Sequence, residues 1–507
     1  MDEDEGACLM RSDLRTDIHD AEVRDAAVEQ MRRAGVVLPT IAELAEPSLI
    51  PDSIQQELRG IDADAAHPLN LFRVHWHNDY ERVGQSDVPG HLVLTEELTG
   101  VPSPILIAIG DRFPMISAHK VLAAYGCLLP RLISGRFDPR SQRAVWPSTG
   151  NYCRGGVAIS RVMGCRGAAV LPEGMSKERF QWLADWVESD DDVIRTPGTE
   201  SNVKEIYDAC AELARDERNV IFNQFSEYSN HVIHRCVTGP AMEHIFEAAH
   251  AKNPQLNLAA FVSATGSAGT IAAGDHLAAT QGSRTVAVEA LECPTLLYNG
   301  FGEHNIQGIG DKHVPLIHNV MGTDMVVAIS DQGTDRLNVM FQSEAGREWL
   351  RSERGVDDCV LEGLAHLGIS SICNVLAAIT VSKKLGLGRD DAILTVATDG
   401  AAMYASESDK VLARDFGGQF GHSEAGSSFD SYVLNASTEH SLELSERDRN
   451  RIFNLGYFTW VEQQGVSLAD FEARRAAEFW DALPECVPSW DRSIQAINDQ
   501  IRAGVES

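Results

Sequence analysis

The stretch VSATGSAGTIAAG, residues 262–274, runs from apolar residues through small ones into a second apolar segment. It predicts a strand, a tight loop and the start of a helix, which together begin a βα unit. Strand-like apolar runs of this kind alternate with helical patterns from about residue 86 to residue 405, and this alternation predicts an α/β fold with mostly parallel sheets. The runs are SPILIAIG (103–110), GAAVLPEG (167–174), NLAAFVSATG (257–266), RTVAVEA (284–290), TDMVVAIS (323–330) and DAILTVATDG (391–400).

The pattern falls into two blocks that divide near residue 240, which predicts two α/β domains, 86–240 and 241–405, with a cleft between them. The segments KVLAAYGCLLPRLI (120–133) and SSICNVLAAITVSKKLG (370–386) are typical of helices within these domains. Residues 1–85 are expected to form an N-terminal extension that packs on the core. Residues 406–507 form a C-terminal extension, with a helical pattern in LADFEARRAAEFWDAL (468–483).

The charge of the chain limits its partners. The 74 acidic residues outnumber the 43 basic ones and give a formal net charge of −31, which argues against nucleic acid and against an anionic membrane surface. No apolar run reaches the roughly 20 residues that a membrane span requires. The start MDEDEGACLM lacks the features of a secretory signal, and the ten cysteines form no Cys-x-x-Cys pair. We therefore expect reduced thiols and a cytoplasmic location.

The stretch HWHNDYER (75–82) places His75, His77 and Asp79 at alternating positions, which would face one way on a strand. Such a set either binds a metal ion or forms plain polar surface. Polar surface is the commoner outcome for so short a motif, so we expect no metal site.

A single lysine, Lys120, lies within DRFPMISAHKVLAAYG (111–126), between Ser117 and His119 on one side and small apolar residues on the other. A lysine amine acts as a nucleophile only when some of it is neutral, and partial desolvation lowers its pKa toward that state. The alternative is a helix lysine that extends from an apolar face to water.

Two loops of small and hydroxyl-bearing residues are candidate anion sites, because helix N-termini present unpaired amides. The first comprises Gly266, Ser267, Ala268, Gly269 and Thr270; it lacks the lysine of a P-loop and the spacing of a dinucleotide fingerprint, which favours a monophosphate. The second, in WPSTGNYCRGG (146–156), offers Ser148, Thr149, Gly150 and Asn151 to a carboxylate. The first loop is equally explained as a tight turn between strand and helix, and the second, taken alone, is better explained as a helix cap. A third, long and glycine-rich loop follows the strand at 286–290, and loops of that length are usually functional.

Taken together, these stretches resemble the pyridoxal-phosphate enzymes of fold type II, and in particular the cysteine synthase and cystathionine β-synthase family. The lysine segment resembles the family's N-P-x-x-S-x-K element, with Ser117 and Lys120 in register. STGNYCRGGVA resembles its S-G-N-T-G loop, LPEGMSKERF its M-P-x-x-M-S-x-E-R strand, and TGSAGT its G-T-G-G-T phosphate loop. HNIQGIG and HLGISSICNVLAA resemble two further cysteine synthase segments, and the six occur in the family's order.

This resemblance implies a tryptophan synthase β-like fold with pyridoxal 5′-phosphate in the cleft between two domains. Lys120 would carry the cofactor as the internal aldimine and then act as the base that removes the α-proton. Asn151 would bind the 3′-oxygen of the cofactor. The loop Gly266, Ser267, Ala268, Gly269 and Thr270 would hold its phosphate. The expected substrate-binding residues are Ser148, Thr149, Gly150, Tyr152 and Gln307.

Some positions depart from the family pattern. The region VATDGAAMY (396–404) offers either Thr398 or Asp399 to the pyridine nitrogen; we favour the neutral Thr398, with Asp399 capping the turn. Ala268 replaces a glycine of the phosphate loop, and Tyr152 replaces a threonine. Lys312 and His313 stand where small and aromatic residues are usual, and they either recognise a polar substrate tail or lie on the surface.

The resemblance implies β-elimination or β-replacement on a small amino acid such as serine, cysteine or O-acetylserine, through an aminoacrylate, in a homodimer. One alternative is an ammonia-lyase on diaminopropionate, serine or threonine, because DRFPMISAHK and GNYCRGGVA also resemble segments of the diaminopropionate ammonia-lyases. Another is a catalytically silent cofactor-binding protein whose long extensions serve a partner.

Overall fold

A computed structural model describes residues 12–200, 202–310 and 312–503. The start MDEDEGACLM, on which the absence of a signal was predicted, lies outside these residues. The strands of the described part are β1 (His91–Leu94), β2 (Ile105–Ile109), β3 (Arg143–Pro147), β4 (Arg166–Pro172), β5 (Val193–Thr196), β6 (Asn219–Ile221), β7 (Asn257–Ala264), β8 (Arg284–Ala290), β9 (Met325–Ile329), β10 (Asp391–Ala397) and β11 (Ser441–Glu443).

These strands form two sheets. The larger sheet has the order β1-β2-β10-β7-β8-β9-β11, and the smaller has the order β5-β4-β3-β6. The smaller sheet is parallel throughout, whereas the larger is parallel from β2 to β9 and has β1 and β11 as antiparallel edges. All six strands quoted from the sequence are present, so the predicted α/β fold with mostly parallel sheets is confirmed.

Helices cover both sheets. Those that connect or flank the strands are Glu96–Thr99, Lys120–Ser134, Asn151–Val162, Lys177–Trp186, Val203–Leu213, Tyr228–Ile233, Gly239–Lys252, Ala273–Gln281, Thr295–Tyr298, Asp331–Gln342, Glu344–Trp349, Asp358–Gly363, Ile369–Leu385 and Ala405–Phe416. Those of the two extensions are Ala21–Arg33, Ile41–Ala45, Asp52–Leu58, His422–Phe429, Glu446–Tyr457, Leu468–Ala473, Ala477–Ala482 and Val487–Ala503.

The pattern LADFEARRAAEFWDAL predicts one continuous helix, but the structure divides it into Leu468–Ala473 and Ala477–Ala482. The carbonyl of Arg474 accepts a hydrogen bond from the indole Nε1 of Trp480 at 2.7 Å, which takes the place of a helical backbone bond. Ala476 is extended, with φ −80° and ψ 135°, and begins the second helix in a new direction.

The two sheets are not formed from the residues before and after a boundary near residue 240. Strands β1 and β2 lie in the larger sheet, where β2 pairs in parallel with β10. The smaller sheet is therefore an insertion, built from residues 143–221 after the larger sheet has received its first two strands. Strand β11, within the predicted C-terminal extension, completes the other edge of the larger sheet. The domain limits of residues 86–240 and 241–405 remain a proposal.

The two extensions pack against each other and against the core. The indole Nε1 of Trp490 donates to the carbonyl of Leu14 at 2.7 Å. The side chain of Asn498 bonds both the N–H and the C=O of Leu38, at 2.9 and 2.8 Å. Because these partners are buried and hundreds of residues apart in sequence, the extensions form part of one hydrophobic core that includes residues of both sheets.

Residues 75–82 form turns rather than a strand, and His75 and His77 are buried. Within residues 12–200, 202–310 and 312–503, no group of three or more histidine, cysteine or acidic side chains is arranged to hold a metal ion. None of the described helices combines the length and the apolar character needed to cross a membrane.

Candidate active site

A cavity, here called the central cavity, lies where β3, β7 and β10 reach their carboxyl ends. In open α/β sheets, ligands bind at such ends. It brings together most of the residues predicted from the sequence as site residues, together with His119, Glu200 and Gln224. The predicted residues that line it are Lys120, Ser148, Thr149, Asn151, Tyr152, Gly266, Ser267, Ala268, Gly269, Thr270 and Thr398.

Lys120 is the first residue of the helix Lys120–Ser134, which is buried along almost its whole length. Its Nζ donates a hydrogen bond to the Oγ of Ser267 at 3.0 Å. The lysine is therefore not a solvated surface charge, since its amine reaches into the central cavity and touches the loop after β7.

The loop 266–270 follows β7 and turns into the helix Ala273–Gln281. Ala268 has φ +62°, in the left-handed region that favours glycine. A side chain at Gly269 would collide with Asn230, and one at Gly266 would lie 3.1 Å from the carbonyl of Gly308. The close packing keeps this loop small, which lets a ligand approach its backbone amides.

His119 joins three parts of the site. Its Nε2 lies 2.7 Å from Oγ1 of Thr270, and its backbone N–H donates to the carbonyl of Thr398 at 3.3 Å. Burial lowers the pKa of His119 to about 3, so the ring is neutral at physiological pH. The sequence marked this histidine only as a neighbour of Lys120.

Thr398 and Asp399 occupy different environments. Thr398 lines the central cavity, and its Oγ1 lies 2.7 Å from Oγ of Ser370. Asp399 is fully buried and does not cap the turn, contrary to expectation. Its Oδ2 accepts hydrogen bonds from Nδ2 of Asn151 and from the hydroxyl of Tyr404, both at 2.7 Å. These two residues replace the backbone turn as partners of Oδ2, while Oδ1 is buried without a hydrogen-bond partner.

Two buried arginines lie behind the loop 148–151. Nη1 of Arg154 donates to Oδ1 of Asn151 at 3.2 Å, and Nη2 of Arg179 donates to the hydroxyl of Tyr404 at 3.0 Å. Arg179 also donates to the side chain of Gln307. Burial raises the pKa of Asp399, while the charge of Arg179 opposes that rise.

Two predicted substrate-binding residues do not line the central cavity. Gln307 lines a second cavity, here called the outer cavity, because Arg179 holds its side chain there. Gly150 packs against the same arginine. A Cβ at this position would lie only 2.6 Å from Nε of Arg179, so the close contact requires glycine. Tyr152 does line the central cavity, but its ring packs edge-on against Trp146, with 5.4 Å between centroids.

Glu200 is a site residue that the sequence analysis missed. Its Oε1 accepts hydrogen bonds from the Thr149 hydroxyl and from the N–H of Gly308, the latter at 2.8 Å. Burial raises the pKa of Glu200 to about 7, against the lowering effect of Arg179. The residue follows β5 in the turn TPGTE, and its place at the carboxyl end of a parallel strand is the one signal that could have identified it.

Lys312 and His313 take no part in the central cavity. Nζ of Lys312 pairs with Glu303 at 3.0 Å. His313 is enclosed by Tyr207, Phe225 and Trp460, with ring centroids 5.6, 5.0 and 5.7 Å away. The lysine therefore belongs to a partly exposed ion pair and the histidine to an aromatic cluster.

Comparison with known proteins agrees with this geometry. The family model described as "Pyridoxal-phosphate dependent enzyme" matches residues 111–399. Cysteine synthase B of Campylobacter jejuni is 29% identical over 259 residues, which are 50% of this chain and 75% of that protein.

Two solved structures show the same fold at low sequence identity. A hydrogen sulfide-producing enzyme from Fusobacterium nucleatum has a TM-score of 0.51 and 22% identity, covering 63% of this chain and 96% of that one. O-acetylserine sulfhydrylase isoform 3 from Entamoeba histolytica has a TM-score of 0.53 and 21% identity, covering 68% of this chain and 93% of that one. The expected fold of the type II enzymes is confirmed.

Proposed function

Because this chain belongs to the pyridoxal-phosphate dependent enzyme family, we propose that its central cavity holds the cofactor on Lys120 and that it eliminates or replaces the β-substituent of a small amino acid. One observation carries this proposal: Nζ of Lys120 lies 3.0 Å from Oγ of Ser267, within the loop proposed to bind phosphate. An amine and an anion-binding loop on one cavity match the two ends of pyridoxal phosphate.

The donors around the cavity fit the chemistry of this cofactor. The small residues 266–270 offer amides and hydroxyls to a phosphate dianion at the start of a helix. Asn151 uses one amide hydrogen for Asp399, and its second remains for the 3′-oxygen. Thr398 lines the cavity, and its neutral hydroxyl suits the pyridine nitrogen, whereas Asp399 does not line the cavity and its Oδ2 already accepts from Asn151 and Tyr404.

The bound cofactor would supply an electron sink for the pair left at Cα of the substrate. The residues of the chain bind the substrate and move its protons. Lys120, as a neutral amine, takes the α-proton. Ser148 holds the substrate carboxylate through its hydroxyl, and Thr149 holds it through its backbone N–H at the helix N-terminus, because the Thr149 hydroxyl donates to Glu200. The buried walls exclude water from these groups.

The preferred substrates are serine, cysteine and O-acetylserine. The matched proteins support this choice: one is named a cysteine synthase, one is described as producing hydrogen sulfide and one as acting on O-acetylserine. The second candidate is an ammonia-lyase on diaminopropionate, and the buried carboxyl of Glu200 beside Thr149 favours it, since a carboxylate pairs with a β-ammonium group.

A panel of amino acids tests the proposal. The holoenzyme is incubated with O-acetylserine, cysteine, serine, threonine and diaminopropionate, with and without a thiol, and 2-oxo acids, ammonia and thioether products are measured. We expect the wild-type enzyme to turn over at least one β-substituted amino acid. We expect Lys120→Arg to show no detectable turnover. Retained cofactor with no turnover across the panel would overturn the activity and favour a silent binding protein.

We also propose a homodimer and a cytoplasmic location, as the family resemblance implies. Analytical ultracentrifugation of the purified full chain checks the first, with a dimer mass expected at micromolar concentration. A monomer across that range would contradict it.

A further inference from the structure

The carboxyl of Glu200 stands between the central cavity and the outer cavity and lines both. Its Oε1 bridges the Thr149 hydroxyl and the N–H of Gly308, so it joins the loop after β3 to the long loop before β9. Its Oε2 is buried and has no hydrogen-bond partner. Glu200 is only 2% exposed, and a buried carboxyl oxygen without a hydrogen-bond partner destabilises the folded state. Such an oxygen therefore suggests a functional role.

The other titratable residues of the central cavity in the described chain are unsuited to giving a proton to a leaving group. Lys120 is assigned to the cofactor and the α-proton. His119 is neutral, and its Nε2 is engaged by Thr270. Burial raises the pKa of Tyr152 well above its ordinary value. Among the described residues that line this cavity, Glu200 is the one carboxyl.

We propose that Glu200 is the general acid and base for the group that leaves from, or adds to, the β-carbon of the substrate. This inference rests on the proposed function and deepens it, because it assigns the residue that handles the second proton. It also predicts that the enzyme accepts leaving groups that must be protonated, such as hydroxyl, thiol or amine.

For a substrate with leaving group X, elimination begins at Cα. Lys120 takes the α-proton, and the electron pair of that C–H bond becomes the second bond between Cα and Cβ. The Cβ–X bond breaks with its pair on X, Glu200 gives its proton to X, and HX departs. In replacement, a protic nucleophile HY gives its proton to the Glu200 carboxylate as Y forms the new bond to Cβ. The second bond between Cα and Cβ then breaks, its electron pair returns to Cα, and Lys120 gives the α-proton back to that carbon.

In this proposal, HX leaves and HY enters through the outer cavity. Because Glu200 is the residue common to both cavities, a group that passes between them passes the carboxyl. Polar side chains line the outer side and can exchange protons with water. The charged or titratable ones are Glu303, His304, Asp331, Glu407, Lys410 and Arg414.

Several charges face Glu200 and set its protonation. Arg179 lowers its pKa and Asp399 raises it, but desolvation by burial is the largest effect and brings the pKa to about 7. The acid form is therefore present near neutral pH and is lost as the pH rises above 7. We expect kcat for a poor leaving group to fall over that range.

The test compares Glu200→Gln with Glu289→Gln. Glu289 is also a buried carboxyl, with a pKa raised to about 8, but it binds the N–H groups of Leu296 and Leu297 away from both cavities. Each holoenzyme is assayed with serine or cysteine, whose leaving groups need a proton, and with β-chloroalanine, whose chloride does not. The visible band of the bound cofactor is recorded for each.

We expect Glu200→Gln to keep the cofactor band, to lose about 10²-fold or more in kcat with serine or cysteine, and to change only a few-fold with β-chloroalanine. Its remaining activity lacks the decline above pH 7. Glu289→Gln stays near wild type with every substrate. Equal losses of Glu200→Gln on all substrates, or none, would overturn the role of Glu200. No turnover by wild type on any substrate would instead overturn the proposed function.

A second readout needs no cofactor. The folded pKa of Glu200 lies above its ordinary value of 4.5, so the folded state binds this proton more tightly than the unfolded chain. Wild-type apoprotein therefore loses stability relative to Glu200→Gln as the pH rises from about 4.5 to about 7. The difference in Tm between the two should grow over that window and then level off; a constant difference would contradict the buried acid. Should Glu200→Gln not unfold cooperatively, Glu200→Asp replaces it and should retain both the pH dependence and part of the activity.

Discussion

Asn151 and Asp399 join the two sheets at the base of the central cavity, where Nδ2 of Asn151 donates to Oδ2 of Asp399 at 2.7 Å. Asn151 follows β3 of the smaller sheet, and Asp399 follows β10 of the larger one. The same carboxylate accepts from Tyr404, and Arg154 donates to the other end of the Asn151 amide. This contact therefore fixes the orientation of a proposed cofactor ligand from both sides of the cleft.

Replacing the carboxylate tests this link. Asp399→Ala leaves Asn151 and Tyr404 without their acceptor and leaves Arg154 and Arg179 without the nearby negative charge. Because removing one partner of a buried charged group typically costs about 3–5 kcal/mol, we expect the free energy of unfolding to fall by that order. Urea denaturation measures it. Asp216→Ala, which removes an exposed partner of Arg218, serves as the control and should cost less than about 1 kcal/mol.

Ala268 tests the backbone of the proposed phosphate loop. Its φ of +62° is unfavourable for a residue with a Cβ by roughly 1–2 kcal/mol, so Ala268→Gly should leave stability unchanged or raise it by up to about 1 kcal/mol. Ala278→Gly is the matched control, because Ala278 is exposed in the helix that follows the loop and should lose about 1 kcal/mol. Equal destabilisation of the two variants in urea would show that Ala268 is not strained.

His313 tests the acid sensitivity of the fold. Burial lowers the pKa of this ring to about 4, below its ordinary 6.5, so the unfolded chain binds the proton first. Stability contributed by the neutral ring is therefore complete above pH 6.5 and is lost as the pH falls toward 4. His313→Phe fits the surrounding aromatic cluster and should show a smaller fall in Tm between pH 6.5 and 5 than wild type.

The exposed histidine His19 provides the comparison, since His19→Ala removes an imidazole outside the core. Its Tm should follow the wild-type pH curve. A parallel curve for His313→Phe as well would mean that protonation of this half-buried ring does not contribute to acid unfolding.

The sequence predicts the parts of this molecule that depend on local pattern. The apolar runs at β7, β8 and β10 and the helix after Lys120 are present because alternation and periodicity act over a few residues. The motifs around Lys120 and 266–270 meet at one cavity because parallel strands place their carboxyl ends at the same edge.

The features that depend on contacts between residues far apart in sequence could not be predicted from local sequence patterns. Gln307 lies in a motif but is held in the outer cavity by Arg179, which is 128 residues away in sequence. Asp399 has the sequence of a turn cap, yet its partners are Asn151 and Tyr404. Glu200 acquires its raised pKa from burial by several segments, and no local pattern reports that burial.

The central claim is that Lys120 carries pyridoxal phosphate in the cavity it shares with Ser267. Reducing the wild-type holoenzyme with borohydride fixes the cofactor to the amine that holds it, and mass spectrometry of the peptides then locates that amine. Lys120→Ala is analysed in parallel, with Lys312→Ala as the matched lysine control because Lys312 belongs to a separate ion pair. We expect a pyridoxyl group on Lys120 in wild type and in Lys312→Ala, and none in Lys120→Ala. A pyridoxyl group on any other lysine of the wild-type protein, or cofactor retained equally by Lys120→Ala, would contradict it.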